Sequence, residues 1–317
     1  MSGPLPQPAE PGAASPVDPV APIDRTGGYL GATGAAAVVA ASRATPARWR
    51  LLLRKPTFLI GAGVVLFWVV CAVFGHAIAP YNPLAQQLLS ANAAPSSAHW
   101  FGTDPLGRDV LSRVIVGARD ILIITPLATI LGTILGTALG LAMGYLGGAF
   151  DQVAGRLVEA FLALPFVIIA FLFVVAIGPS VVGITIIIGL VFTPLIARTV
   201  RTAVLVERHQ DYVSASRLLG EGPARVMFAE ILPNVMPAIV VEFTVRLAYA
   251  VFAVATLSFL GFGVQPPTPD WGADISANYV GLPAGFWWQT LFPALALASL
   301  VVAVSLIADS IEQVLSA

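Results

Sequence analysis

Charge is the scarcest commodity in this sequence. Charged residues make up 10% of the 317, against roughly a quarter in an ordinary soluble domain. Cysteine occurs once, as Cys71 inside an apolar run. One cysteine excludes an internal disulfide framework and a cysteine metal cluster. Lysine also occurs once, as Lys55 in Arg-Lys-Pro. A Walker A loop requires Gly-Lys-Ser/Thr, so this chain is not itself a P-loop ATPase. The three histidines, His76, His99 and His209, are scattered and lack an HExxH or paired-acid context, so no metal site and no catalytic residues are assigned. Net charge is −1, which gives no electrostatic reason for nucleic acid as a partner.

What remains is apolar. Hydrophobic residues make up 57%, and the mean hydropathy is +0.88. Such a chain cannot hide its apolar surface in one water-soluble core, so it reads as an all-α integral membrane protein surrounded by lipid. Residues 1–45 are rich in Pro, Ala and Gly with scattered charges, which predicts a disordered cytoplasmic tail. The rest, 46–317, reads as one membrane-spanning domain. Arg43, Arg48, Arg50, Arg54 and Lys55 precede a first apolar run, Phe58–Ala77. The positive-inside rule puts that flank in the cytoplasm.

Further spans are predicted at Ile121–Leu146, Ala160–Ile177, Val181–Ala197, Pro237–Phe262 and Phe286–Ala308. This gives six transmembrane helices with both termini inside. Most of the 16 Lys and Arg fall on the inner side; Arg108, Arg113 and Arg119 fall outside, beside Asp104, Asp109 and Asp120. Gly132, Gly136, Gly140 and Gly144 recur at spacing four in the second span. They place one bare stripe on one helix face and predict close helix packing. Glu242 and Arg246 lie i, i+4 apart inside the fifth span. Ionised groups at that depth are paired or functional, so they read as a structural charge pair or as part of a pathway.

The most polar stretch between two long spans is Asp211–Pro233. Asp211 is placed to cap a short helix whose apolar face is Tyr212, Ala215 and Leu219. Gly220 suits a left-handed C-cap. Gly222-Pro223 then restarts a helix, with proline where the missing N–H is harmless. Two readings fit this cytoplasmic segment: an interfacial loop helix, or an element that docks onto a partner.

Three stretches carry a resemblance. Gly102–Arg119 reads GTDPLGRDVLSRVIVGAR, Tyr212–Pro233 has Ser214-Ala215-Ser216 then Gly220 and Ile231-Leu232-Pro233, and Leu257–Gly272 reads LSFLGFGVQPPTPDWG. With GYLGG at Gly144–Gly148, the chain resembles the permeases of ATP-binding-cassette importers served by a binding protein. The closest branch in pattern is the C-type subunit of the dipeptide, oligopeptide and nickel group. The resemblance covers about residues 50–315. It implies the architecture of a type I importer permease in a bacterial plasma (inner) membrane. It also implies peptide uptake, with nickel or another receptor-delivered ligand as the alternative. The implied partners are an extracytoplasmic peptide-binding protein, a second permease and two ATPases. ATP and Mg would be bound by those ATPases, and no cofactor by this chain. Tyr212, Ser214, Ala215, Ser216, Arg217, Leu219, Gly220 and Arg225 would form the ATPase-coupling segment. The family usually has Glu where this chain has Ser214, and Ala where it has Ser216; Glu207 or Asp211 is available to supply the missing charge. The competing class is a secondary transporter or channel, for which Glu242 and Arg246 are the available ionisable groups.

Overall fold

The computed structural model describes residues 52–315. The expected tail at 1–45 lies outside the described residues. Among them every regular element is helical, and the sole strand-like feature is an isolated bridge between Thr103 and Asp109.

Helix α1, Pro56–Ile78, opens with proline in its first turn. Its 23 residues span about 34 Å, enough to cross a hydrocarbon core of about 30 Å. Helix α2, Val110–Leu146, is capped by the Asp109 side chain, which accepts from the Ser112 N–H at 2.8 Å. Helices α3, Gly148–Leu162, and α4, Phe166–Ile177, follow. Helix α5, Val181–Glu207, is capped by Ser180, which accepts from the Gly183 N–H at 3.0 Å. Helix α6 is the short Asp211–Leu218 segment. Helix α7, Pro223–Phe259, has a π-helical stretch at Val226–Ile231 near its start. Helix α8 is Trp271–Asn278, and α9 is Trp288–Leu315.

Five helices, α1, α2, α5, α7 and α9, are long and apolar enough to cross a membrane, and the α3–α4 pair makes up to a sixth. The expected third span, Ala160–Ile177, is not one helix. It breaks at Ala163–Pro165, and the flanking helices are bent by 93°. Pro165 cannot donate an N–H and disfavours helical backbone at Leu164. The chain restarts with Ile168 and Ile169 donating to the Pro165 carbonyl at 3.0 and 3.3 Å. Helix α4 has 12 residues, about 18 Å, too short to cross alone.

Several helices run further than their apolar stretches: α7 begins at Pro223, not Pro237, and α9 continues past Ala308 to Leu315. Helix α2 begins at Val110, not Ile121, and α5 continues past Ala197 to Glu207. Val200 and Val204 remain fully buried on one face of that extension while Arg198 is exposed on another. Hydropathy marks where lipid ends, whereas an amphipathic face carries the helix onward.

The glycine stripe lies against α5. A Cβ on Gly136 would sit 2.7 Å from Ile196 Cβ and 2.8 Å from the Thr193 carbonyl; one on Gly140 would sit 2.7 Å from the Ala197 carbonyl. Gly132 meets the Gly189 carbonyl at 2.9 Å, and Gly144 meets Val204 Cβ at 2.7 Å. All four glycines are buried. Backbone-to-backbone approach of this kind gives α2 and α5 a long dry seam. Helix α1 is held to α9 by Trp68, whose Nε1 donates to Ser299 Oγ at 2.9 Å.

At the end of the bundle away from α6, the two other signature stretches interlock. Arg113 in the first turn of α2 bonds the Asp274 carboxylate of α8, with Nε at 3.1 Å from both oxygens and Nη2 at 2.5 Å from Oδ1. Trp271 Nε1 donates to the Val114 carbonyl at 2.8 Å. Arg108 Nε donates to Asp104 Oδ2 at 2.6 Å. Two of the three arginines expected outside are therefore paired with carboxylates inside protein, which neutralises their charge on that side of the bundle.

Candidate functional site

The segment from Arg208 to Ile231 forms an elbow at one end of the bundle. Three residues seat it. Val213, Val226 and Ile231 are fully buried. Tyr212 is half-buried, and its hydroxyl donates to Glu207 Oε2 at 2.8 Å. Burial pushes the Tyr212 phenol up to about 12, and its bond to the Glu207 carboxylate pushes in the same direction. The Arg217 guanidinium carbon lies 4.8 Å from the centre of the Tyr145 ring, a cation–π contact. Arg208 Nη1 donates to the Gly144 carbonyl at 2.8 Å. The short helix is thus fastened to the ends of both α2 and α5.

The turn after α6 is a Schellman motif. The Gly220 N–H donates to the Arg217 carbonyl at 3.0 Å, and the Glu221 N–H donates to the Ser216 carbonyl at 3.2 Å. Gly220 adopts φ +81°, which a Cβ opposes. Gly222 then caps the next helix, with Pro223 at its first position.

The start and the face of α6 differ from the sequence expectation. Gln210 occupies the N-cap without a side-chain bond, and Asp211 is the first helical residue. Asp211 there still favours the helix through the N-terminal dipole. Tyr212 faces inward, while Ala215 and Leu219 are exposed. Leu218 and Leu219 are 90% and 82% exposed. An eight-residue helix with apolar residues on two stripes has no periodic signal to choose the buried one. Val213 took the inner place. Leu218 had its own signal, an apolar residue next to Leu219 in a polar segment.

Of the other expected site residues, Ser214 is exposed and Ser216 donates to the Tyr212 carbonyl at 3.1 Å. Arg225 pairs with Glu221 at 3.2 Å, its side chain 71% exposed. Glu207 is engaged by Tyr212, whereas Asp211 is exposed. Midway along α7, Arg246 Nε donates to Glu242 Oε1 at 2.6 Å. Sequence reasoning missed the Arg113–Asp274 pair, because nothing local links residues 161 positions apart. Among the described residues no three His, Cys, Asp or Glu side chains come together as a metal would need.

Residues 136–317 match the family described as "Binding-protein-dependent transport system inner membrane component". The chain belongs to this family. Residues 47–95 match the N-terminal transmembrane domain of oligopeptide transport permease C, which places it in the permease C branch of the inner membrane components. Similar members include the dipeptide transport permease DppC of Escherichia coli K12. It is 40% identical over 274 residues, covering 84% of this chain and 91% of the relative. DppC of Bacillus subtilis is 35% identical over 269 residues, covering 84% and 83%. The glutathione transport permease GsiD of Escherichia coli is 36% identical over 273 residues, covering 84% and 88%. Among solved structures, an inward-facing MetNI methionine ABC transporter matches with TM-score 0.53 at 20% identity. That match covers 64% of this chain and 96% of the other and shows the shared permease fold.

Proposed function

We propose that this chain is one of two permease subunits through which short peptides enter a bacterial cell. An extracytoplasmic binding protein delivers the peptide. ATP and Mg are held by two separate ATPase subunits, one of which receives the α6 elbow. Relatives named for dipeptide and glutathione transport support short peptides as the substrate class. The basic flank before α1 supports a cytoplasmic N-terminus, and an odd number of further crossings returns the C-terminus to that side.

The observation that carries the coupling role is the outer face of α6. Leu218 and Leu219 stand almost fully exposed beside the small residues Ser214 and Ala215. An apolar tip at the water-facing end of a bundle marks a protein contact. The small residues leave room for α6 to sink into a cleft. Its mounting suits force transmission. Motion of α6 reaches α5 through the Tyr212 bond to Glu207 and α2 through Arg217 on Tyr145, while Arg208 on the Gly144 carbonyl ties the ends of α5 and α2 together. The glycine seam then moves α2 and α5 together, and the bundle swings between inward-open and outward-open states.

The test is Ala215→Trp in the assembled transporter. The bulky ring should reduce co-purification of the ATPases and the hydrolysis stimulated by loaded binding protein, while the permease pair still assembles. Full retention of the ATPases with unchanged stimulation would reduce α6 to an interfacial loop helix.

A further inference from the structure

Between Val235 and Val254 of α7 the only carboxylate and the only cationic side chain are Glu242 and Arg246. Their pairing leaves one half of the arginine unused. Arg246 Nε donates to Glu242 Oε1 at 2.6 Å. Thr199 of α5 donates to Glu242 Oε2 at 3.3 Å. Both carboxylate oxygens are therefore occupied, and the carboxylate fixes one edge of the guanidinium. Among the described residues no acceptor meets the Nη1 or Nη2 groups. The Arg246 side chain keeps 18% exposure. It lines a cavity of about 300 Å³ between α4, α5 and α7, together with Phe166, Phe192, Tyr249, Phe252 and Thr256. The guanidinium carbon lies 5.6 Å from the centre of the Tyr249 ring.

A helix face turned to lipid would not carry a forked cation with two open donors at this depth. Intramembrane ionisable residues face protein or a water-filled passage and there meet a partner. The open edge is the one that matches a planar carboxylate with two parallel hydrogen bonds. Aromatic walls with a few directed polar groups are how small ligands are held. Tyr249 and Phe252, at 58% and 62% exposure, supply such walls.

We propose that Arg246 receives the C-terminal carboxylate of the passing peptide, its Nη1 and Nη2 donating to the two oxygens while Glu242 holds Nε. This rests on the peptide-import reading above and adds to it a residue that reads the free end of the substrate. Glu242 is a positioning residue here: it holds Nε, leaves Nη1 and Nη2 as the free donors, and does not touch the peptide.

The experiment uses the whole transporter, reconstituted in proteoliposomes with saturating binding protein. The binding protein is loaded with dialanine or with its C-terminal amide, and loading is checked by equilibrium binding. Wild type should turn over the free acid about tenfold or more faster than the amide, the value of one charge-assisted pair. Arg246→Gln should bring that ratio to about one, and Arg246→Lys should keep part of it. An unchanged ratio in Arg246→Gln overturns the assignment. Loss of the second permease on purification of both Arg246→Gln and Arg246→Lys also overturns it, because the fork would then be meeting a carboxylate of that subunit. Uptake of neither peptide form by wild type would sink the peptide reading itself, a result distinct from uptake of both with an unaltered ratio.

Discussion

Arg113 and Asp274 lie 161 residues apart in sequence and form a bidentate ion pair with side chains 5% and 7% exposed. The same guanidinium donates through Nη1 to the carbonyls of Pro83 and Pro267 at 3.3 and 3.4 Å. One side chain thereby joins the start of α2, the loop before it, the loop after α7 and helix α8. Burial pushes the Asp274 carboxyl up, and the Arg113 charge pulls it back down. Arg113→Ala would leave that carboxylate buried without a counter-charge, at a cost of about 3–5 kcal/mol. Asp274→Ala together with Arg113→Ala should be less destabilised than Arg113→Ala alone. Thermal unfolding of the purified complex in detergent measures both. A double variant that unfolds earlier than the single would show that the carbonyl bonds of Arg113, not the ion pair, hold this end.

Asp270 sets a pH dependence at the same end. Burial pushes its carboxyl up to about 6, while the Ala273 N–H and the Ser258 hydroxyl, donating at 2.8 and 3.0 Å, pull against that rise. Its folded value lies above its unfolded one. The associated stability is present below about pH 4 and is lost as pH rises through about 6, on the order of 3 kcal/mol. Asp270→Asn keeps the Oδ1 acceptor for Ala273 and has no proton to lose. Relative to that variant, wild type should lose thermal stability as pH rises from about 4 to about 7. Unfolding midpoints of the two proteins that run parallel over this range would show Asp270 ionised throughout.

The α2–α5 seam gives a paired test. Gly136 has no room for a Cβ, with Ile196 Cβ 2.7 Å away, whereas Gly63 on α1 has nothing within 4 Å. Gly136→Leu should separate the helices at a cost of about 1–3 kcal/mol or more and lower the yield of folded protein. Gly63→Leu adds the same apolar volume at an open position and should leave the folded yield of the isolated subunit near wild type. Equal yields for the two variants would mean that the seam opens without cost.

Much of this was legible because lipid and backbone geometry impose local rules. Long apolar runs located the spans, spacing of Gly132 to Gly144 located a packing face, and Gly220 and Gly222-Pro223 located a stop and a restart. What was hidden depends on contacts between distant segments. The bend at Ala163–Pro165 is marked by a proline, but its 93° angle is set by what α3 and α4 pack against. The buried stripe of α6 was ambiguous, since Tyr212, Val213, Leu218 and Leu219 support more than one face. The pairing of Arg113 with Asp274 was invisible, although each residue lies in a recognisable stretch. Charge scarcity narrowed the partners without naming one.

Gly220 offers the cleanest separation of shape from contact at the elbow. Its φ of +81° is closed by the two Schellman bonds, and a Cβ there would meet nothing within 4 Å. Substitution therefore carries a conformational penalty and no internal clash. For alanine that penalty is roughly 1–2 kcal/mol; asparagine tolerates the left-handed region far better, and a β-branched valine tolerates it least. If the turn matters because it aims α6 at an ATPase, the loss of stimulated hydrolysis should grow in the order Gly220→Asn, Gly220→Ala, Gly220→Val. Membrane insertion and folding of the subunit should stay intact in all three, because the turn lies outside the α2–α5 seam. ATP hydrolysis with loaded binding protein, measured on complexes of equal subunit content, reads the order directly. Equal losses in all three would point instead to a partner surface pressed so closely on Gly220 that any side chain is excluded. In that case the tolerance of asparagine for the left-handed region gives no relief, and it fails together with alanine and valine.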